Sequence, residues 1–343
     1  MIGLLGFAVI FGVGRWLVWP VRWVWLMAWG WLLVLLLAHA PYMPAQLGDF
    51  VGGEFRGWFV LGVLAALALA YRAGLRRVRG RVEPKAETVA KPGSFSPVEL
   101  DRYARHIMLR EIGGPGQKSL KSARVLVVGA GGLGSPALMY LAASGVGTIG
   151  VIDGDTVEGS NLQRQVIHAD ARIGMPKVFS AEVAMRALNP FVEVRPYHRR
   201  LDEAVAADLL GEYDLVLDGT DNFDTRYLVN RACVAAGKPL ISAAITQWEG
   251  QISLYDPARG GPCYECVFPV RPAPGMVPTC AEAGVAAPLP GVVGAMMAVE
   301  AIKHITDAGS GLRGRLMIYD ALYAETRVIG VKQRADCAVC GRH

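Results

Sequence analysis

Apolar residues follow three regimes along the chain. Residues 1–71 are apolar almost throughout, broken chiefly by Arg15, Arg22 and the short polar interval 49–56, and hold seven of the eight tryptophans. Residues 23–40 are an apolar run of about 18 residues, close to the length that crosses ~30 Å of hydrocarbon at ~1.5 Å per residue. The pattern predicts one membrane span there and a second, shorter one over 58–71, which must borrow Leu75 and let Arg72 snorkel. Residues 1–14 either lie in the interface or form a third apolar segment. Residues 80–97 (GRVEPKAETVAKPGSFSP) have little to bury and read as a flexible linker.

From residue 98 the pattern changes to that of a globular α/β domain. A helix is expected over 97–110, with Leu100, Tyr103, Ile107 and Leu109 on one side. Short buried runs at 125–128, 148–152, 192–195, 215–217 and 240–244 read as strands, with helices over 137–143, 177–188, 202–211 and 227–236 between them. That alternation is what a parallel, doubly wound Rossmann-like sheet requires. Residues 251–255 and 315–319 alternate as antiparallel strands do, flanking a helix over 292–306, so the sheet is expected to be mostly parallel and extended by antiparallel strands. The division is a membrane region at 1–79, a linker at 80–97 and a catalytic domain at 98–343.

Composition sharpens the first regime. A hydrophobic content of 52% is high for a water-soluble protein. The basic flank Arg72, Arg76, Arg77, Arg79, Arg81 and Lys85 faces only Glu83, so the positive-inside rule sets it, and the domain after it, in the cytoplasm. The expected location is the inner, cytoplasmic membrane, multi-pass. A cleaved signal peptide fits less well, because a second apolar run and a basic flank follow the first. The net charge of +5 includes no long basic tract and no RNA-binding signature, so nucleic acid is not an expected partner.

Chemistry concentrates in residues 124–153. Gly129, Gly131 and Gly134 form G-x-G-x-x-G between an apolar strand and a helix start, where the first glycine permits a tight turn, the second lets backbone approach a phosphate and the third lets helix and strand pack. The helix N-terminus presents free N–H groups to that phosphate. Asp153, at the end of the next strand, is placed to bind ribose hydroxyls. Cys263, Cys266, Cys337 and Cys340 form two C-x-x-C pairs, suited to a closed tetrahedral Zn²⁺ site of structural type. A disulfide pair or redox dithiol is the weaker alternative in a reducing compartment.

The segments RYARH (102–106), GAGGLG (129–134), DGDTVEGSNLQRQ (153–165), GMPK (174–177), DGTDN (218–222), EGQ (249–251), the paired C-x-x-C and PTCAEAGV (278–285) occur in one order. With them the chain resembles the ThiF, MoeB and HesA group of adenylyltransferases, relatives of ubiquitin-activating enzymes, over residues 95–341. The resemblance implies ATP, Mg²⁺ and Zn²⁺ as cofactors. It implies adenylation of the C-terminal glycine carboxylate of a small ubiquitin-like sulfur-carrier protein with a Gly-Gly tail, in molybdopterin- or thiamine-type sulfur transfer. A separate sulfur donor and a homodimer belong to the same expectation.

By that resemblance Gly129, Gly131, Gly132, Gly134, Asp153, Asp155, Asn161, Gln165 and Asn222 bind the nucleotide. Arg164 and Lys177 hold the polyphosphate, Asp221 supports Mg²⁺ or caps the following helix, and Arg105 reaches the neighbouring subunit's phosphates. Cys280 either receives the activated carboxyl or its sulfur, or is a spectator thiol. Cys233, between small apolar residues, reads as a core thiol. Two other functions compete: an NAD-dependent oxidoreductase, which leaves SNLQRQ and DGTDN without a task, and a non-catalytic, membrane-anchored docking protein on the same fold.

Overall fold

The computed structural model describes residues 2–16, 19–40, 43–82, 94–273, 276 and 280–341. It divides into two compact units, Met1–Thr88 and Val89–His343. Most of the expected linker, residues 83–93, lies outside the described residues.

The first unit holds α1 (Ile2–Trp16), α2 (Val21–Ala38), α3 (Ala45–Val51) and α4 (Phe55–Val82). Its small core is Leu32, Leu35, Val51 and Trp58. Close approach depends on glycine: a Cβ at Gly6 would sit 2.2 Å from Trp31 Nε1, while that indole N–H donates to Gly3 O at 2.9 Å. The expectation of two or three spans is corrected here, because among the described residues one segment, Phe55–Leu75 on α4, is long and apolar enough to cross a membrane. The apolar helices Ile2–Trp16 and Trp23–Ala38 fall short of that length. The run read as the shorter one is the longer, because it extends at its start from Trp58 back to Phe55, and the helix carries Arg72 and continues through Arg77; arginine is a good helix former.

The second unit runs α5 (Pro97–Ile107), α6 (Gly113–Ser122), β1 (Arg124–Val128), α7 (Gly134–Ala143), β2 (Thr148–Ile152), α8 (Lys177–Leu188), β3 (Glu193–Tyr197), α9 (Glu203–Gly211), β4 (Leu215–Asp218) and α10 (Phe223–Ala236). There follow β5 (Leu240–Ile245), β6 (Glu249–Tyr255), α11 (Tyr264–Val267), α12 (Cys280–Ala283), α13 (Leu289–Thr306), β7 (Arg315–Asp320) and β8 (Glu325–Gly330). The eight strands form one sheet in the order β3-β2-β1-β4-β5-β6-β7-β8. Strands β1 to β5 are parallel, and β6, β7 and β8 add on antiparallel.

Alternation along β1 shows why both faces are covered. Val125 and Val127 enter one core with Leu138 and Leu141 of α7 and Val293 and Met297 of α13, while Leu126 and Val128 enter the other with Leu209 and Leu210 of α9 and Val229 of α10. A parallel strand buried on both faces needs apolar residues on both, and Val125–Val128 supply them after an exposed Arg124. The first helix starts with a capping box, Ser96 and Glu99 bonding each other's backbone N–H. It ends at Ile107, not at 110, and the glycine-rich α6 follows as an unexpected helix that buries Gln117 and Leu120.

Candidate active site

The strand order reverses between β1 and β4, with β2 and β3 on one side and β4 to β8 on the other, the place where open α/β sheets bind ligands beyond the carboxyl ends of their strands. The glycine turn sits there. Gly129 has φ +94°, and a Cβ at Gly134 would lie 1.9 Å from Gly129 O, so neither position admits a side chain. A Cβ built at Gly131 would touch Gln165 Nε2 at 3.7 Å, and the Arg164 stem passes 3.8 Å from the Cβ position of Gly132, so both side chains pack beside the turn.

Asp153 steadies this turn. Its Oδ2 accepts the Ala130 N–H at 2.8 Å and its Oδ1 accepts the Asp155 N–H at 2.8 Å, leaving further lone pairs on both oxygens for hydroxyl donors. Lys177 begins α8, buried, with Nζ 3.0 Å from Asp155 Oδ2. Arg164 donates to Asn161 Oδ1 at 2.8 Å, and Asn161 donates to Glu158 Oε2 at 3.1 Å. The loop carrying them closes on itself through a bridge between Thr156 and Pro176. The structure therefore gathers Asp153, Asp155, Asn161, Arg164, Gln165 and Lys177 on the loop beside the glycine turn.

The DGTDN turn meets the glycine turn from β4, since a Cβ at Gly129 would lie 3.3 Å from Gly219 O. Asp218 is fully buried and accepts from Thr220 N, Thr220 Oγ1 and Ser242 Oγ at 3.0, 2.6 and 2.8 Å. The helix cap of α10 is Asn222, whose Oδ1 accepts the Thr225 N–H at 2.8 Å. That corrects the capping alternative for Asp221, one residue earlier, which is exposed and has no partner among the described residues. Asn222, expected at the nucleotide, spends its carbonyl oxygen on the cap and keeps its amide N–H₂ free for other acceptors.

Arg105 stands exposed in the last turn of α5, without a partner among the described residues. Cys280 opens α12, and its side chain lies outside the described residues.

Two residues that the chain pattern did not single out hold the site together. Arg226 is buried and donates to Thr220 O at 2.5 Å, Ser242 Oγ at 3.2 Å and Ala243 O at 2.9 Å, with Asp218 3.9 Å away. His168 is buried between Ala130 O and Ser180 Oγ, both at 2.9 Å, and burial pushes its pKa below the ordinary histidine value. The available signal was slight: Arg226 stands at the polar edge of the apolar stretch Tyr227, Leu228 and Val229, and His168 follows Val166 and Ile167.

The donor set fits both kinds of ligand expected of it. Ser135 Oγ, in the first turn of α7, and Gln165 Oε1 are buried without a hydrogen-bond partner; the hydroxyl can donate to a phosphate oxygen and the amide oxygen can accept from a hydroxyl or amino group of a nucleotide. The four Sγ atoms of Cys263, Cys266, Cys337 and Cys340 lie within 4.8 Å of one another, with separations of 3.8, 3.6 and 3.4 Å for three pairs. Four sulfurs at ~2.3 Å from Zn²⁺ in a tetrahedron stand ~3.8 Å apart. Burial pushes the Cys263 thiol up. At Cys337 burial acts the same way, but backbone N–H groups of Cys340 and Val339, together with the Cys263 and Cys266 thiols, outweigh it and bring the thiol down to about 7. The cluster ties α11 to residues 337–340.

A doubly wound sheet with a glycine turn at its switch point, a ribose-type carboxylate and a rim of cations defines a nucleotide-binding α/β protein. Residues 103–339 match the model of the ThiF family, and the chain belongs to that family. It is 50% identical over 247 residues to the sulfur carrier protein adenylyltransferase of Thermus thermophilus, covering 71% of this chain and 91% of that protein. It is 49% identical over 248 residues to the SAMP-activating enzyme E1 of Haloferax volcanii, covering 72% and 91%. Among solved structures it is similar to E. coli MccB crystallised with ATP, at TM-score 0.61 and 25% identity over 70% of this chain and 75% of that one.

Proposed function

We propose that the chain is an adenylyltransferase that activates the C-terminal carboxylate of a small ubiquitin-like sulfur-carrier protein with ATP. The observation that carries this reading is a glycine turn flanked by Arg164, whose stem passes 3.8 Å from the Cβ position of Gly132, and by Lys177 at the start of α8, whose partner Asp155 is half exposed. The named relatives, an adenylyltransferase of a sulfur carrier and an activating enzyme, support the substrate class.

In the proposed reaction a carboxylate oxygen bonds to the α-phosphorus of ATP as the bond to pyrophosphate breaks, giving an acyl-adenylate. The glycine turn offers N–H groups to phosphate oxygens. Arg164 and Lys177 stabilise the negative charge that accumulates on departing pyrophosphate. Lys177 reaches that role by exchanging its exposed partner Asp155 for phosphate. Asp153 keeps two lone pairs for ribose hydroxyls while holding the turn. Asp221, exposed and without a partner among the described residues, would hold Mg²⁺, which favours one carboxylate together with phosphates and supplies charge neutralisation. The four cysteines would hold a closed Zn²⁺, with no position left for chemistry. Arg105 is proposed to complete the site of a second copy in a homodimer.

The first unit is proposed to anchor the enzyme, with Phe55–Leu75 spanning roughly 31 Å as a helix and the catalytic unit on the cytoplasmic side of the bilayer, where Arg72 and Arg77 favour anionic headgroups. The expected linker bounds are narrowed by helix α4, which runs to Val82, and by the Ser96 cap of α5, where the proposed catalytic domain begins.

Exchange of labelled pyrophosphate into ATP, measured on the full-length chain with added carrier, tests the reading. Exchange that needs a free C-terminal glycine on the carrier is the expected result; NAD binding with no exchange would overturn it. Mixing Arg105→Ala with Lys177→Met chains tests the dimer, since one intact site should reappear in mixed pairs. Resistance of the chain to carbonate extraction from membranes tests the anchor, and its release into the soluble fraction would refute it.

A further inference from the structure

Ala130 is held from both sides. Its N–H goes to Asp153 Oδ2 at 2.8 Å, and its carbonyl receives a hydrogen bond from the imidazole of His168 at 2.9 Å. A carbonyl can only accept, so Nε2 carries the proton, and in the neutral ring Nδ1 accepts from the Ser180 hydroxyl, 2.9 Å away. The peptides here are trans, and in a trans peptide the C=O of one residue and the N–H of the next point in opposite directions. Fixing the Ala130 carbonyl inward on His168 therefore turns the Gly131 N–H to the opposite side of that peptide, away from the ring. Among the described residues that N–H donates to no protein group. Ser180 stands one turn after Lys177 on α8, so the same ring spans two elements of the proposed phosphate site.

We propose that His168 is a positioning residue for nucleotide binding: its neutral imidazole aims the Gly131 N–H at a phosphate oxygen and locks the glycine turn to the helix turn that carries Lys177. The charged groups around the ring are Lys177 and Arg172, which oppose a positive imidazole, and Asp153, which favours one. Burial opposes it as well, so the ring stays neutral and the pairing with Ser180 keeps its sense. This inference rests on the reading of the turn as a phosphate cradle, and it assigns a role to a residue that touches neither nucleotide nor carrier.

Equilibrium titration of the full-length chain in mild detergent, with ATP and separately with adenosine, tests it. His168→Ala is expected to weaken ATP binding about tenfold, the scale of one lost hydrogen bond to a charged group, and to leave adenosine within about twofold. His168→Gln, whose amide still offers a donor to Ala130, is expected to recover most of the ATP affinity. Ser180→Ala, a milder change should the alanine variant fail to fold, is expected to cost ATP about threefold and adenosine nothing. Nitrogen-15 shifts of the wild-type ring should report the Nε2–H form. Equal ATP binding by wild type and His168→Ala would overturn the proposal, as would equal loss of ATP and adenosine, or a wild-type chain that does not bind ATP. A wild-type chain that binds ATP and shows these differences but exchanges no pyrophosphate would sink the adenylation reading alone.

Discussion

Replacing Arg226 with methionine tests how the DGTDN turn is held. The guanidinium is buried and makes three hydrogen bonds, to Thr220 O, Ser242 Oγ and Ala243 O, beside a fully buried Asp218. Methionine fills a similar volume and donates nothing, so two buried carbonyls lose a donor while Asp218 keeps its three neutral donors but loses the nearby cation. Hydrogen bonds from a charged donor contribute about 1.5–3 kcal/mol each, and breaking a buried ion pair from one side costs about 3–5 kcal/mol. These overlap, so the expected loss is about 4 kcal/mol. At about 2–4 °C per kcal/mol for a domain of this size, the unfolding midpoint should fall by about 8–16 °C. Thermal unfolding followed by circular dichroism measures it, and pyrophosphate exchange at low temperature reads the displaced Asp221. Arg226→Lys, which retains the charge but not the planar fork, should fall between. A midpoint within 2 °C of wild type for the methionine variant would refute the claim that this network sets the turn.

Three other outcomes are expected. Lys177→Met should lower pyrophosphate exchange about 10²-fold and leave the unfolding midpoint nearly unchanged, because its present partner Asp155 is half exposed; exchange kinetics beside a melting curve check both. Purified protein should carry one Zn²⁺ per chain by elemental analysis, and Cys337→Ser or a strong chelator should free residues 337–340 for proteolysis; zinc-free protein with equal protease resistance would count against the site. Burial lowers the pKa of both His168 and His304 in the folded chain. The unfolded chain therefore takes up protons first, so their contribution to stability is complete above about pH 6.5 and declines as the pH falls below it. Denaturant midpoints between pH 8 and 5 should decrease toward acid, and His168→Asn should flatten part of that slope.

Much of the catalytic unit could be read along the chain because its cues are local. RVLVV, the spaced glycines and an acid after the second strand specify a βαβ unit through periodicity and turn chemistry, and the C-x-x-C pairs specify four sulfurs by spacing. The misses have local causes too. The last strand, ETRVIG, is exposed at every position, so it lacks the alternation that marks a half-buried strand. The helix GGPGQKSLKS runs against its own propensity and is held by packing of Gln117 and Leu120. The second apolar run extends at its start, from Trp58 back to Phe55, and its end at Leu75 agrees with the expectation that Arg72 is carried within the helix.

The order of residues by itself determined the glycine turn between strand and helix and the two C-x-x-C pairs, since each follows from neighbours a few positions apart, whereas the meeting of the two pairs across 74 positions belongs to the fold. Only the tertiary structure decided that His168 meets Ala130 across 38 positions, that Arg226 lies beneath the DGTDN turn, and that Asp153 spends one lone pair of each oxygen on backbone. Hydrogen-bond partners in a buried site depend on which strands stand side by side, and that adjacency comes from the sheet packing as a whole.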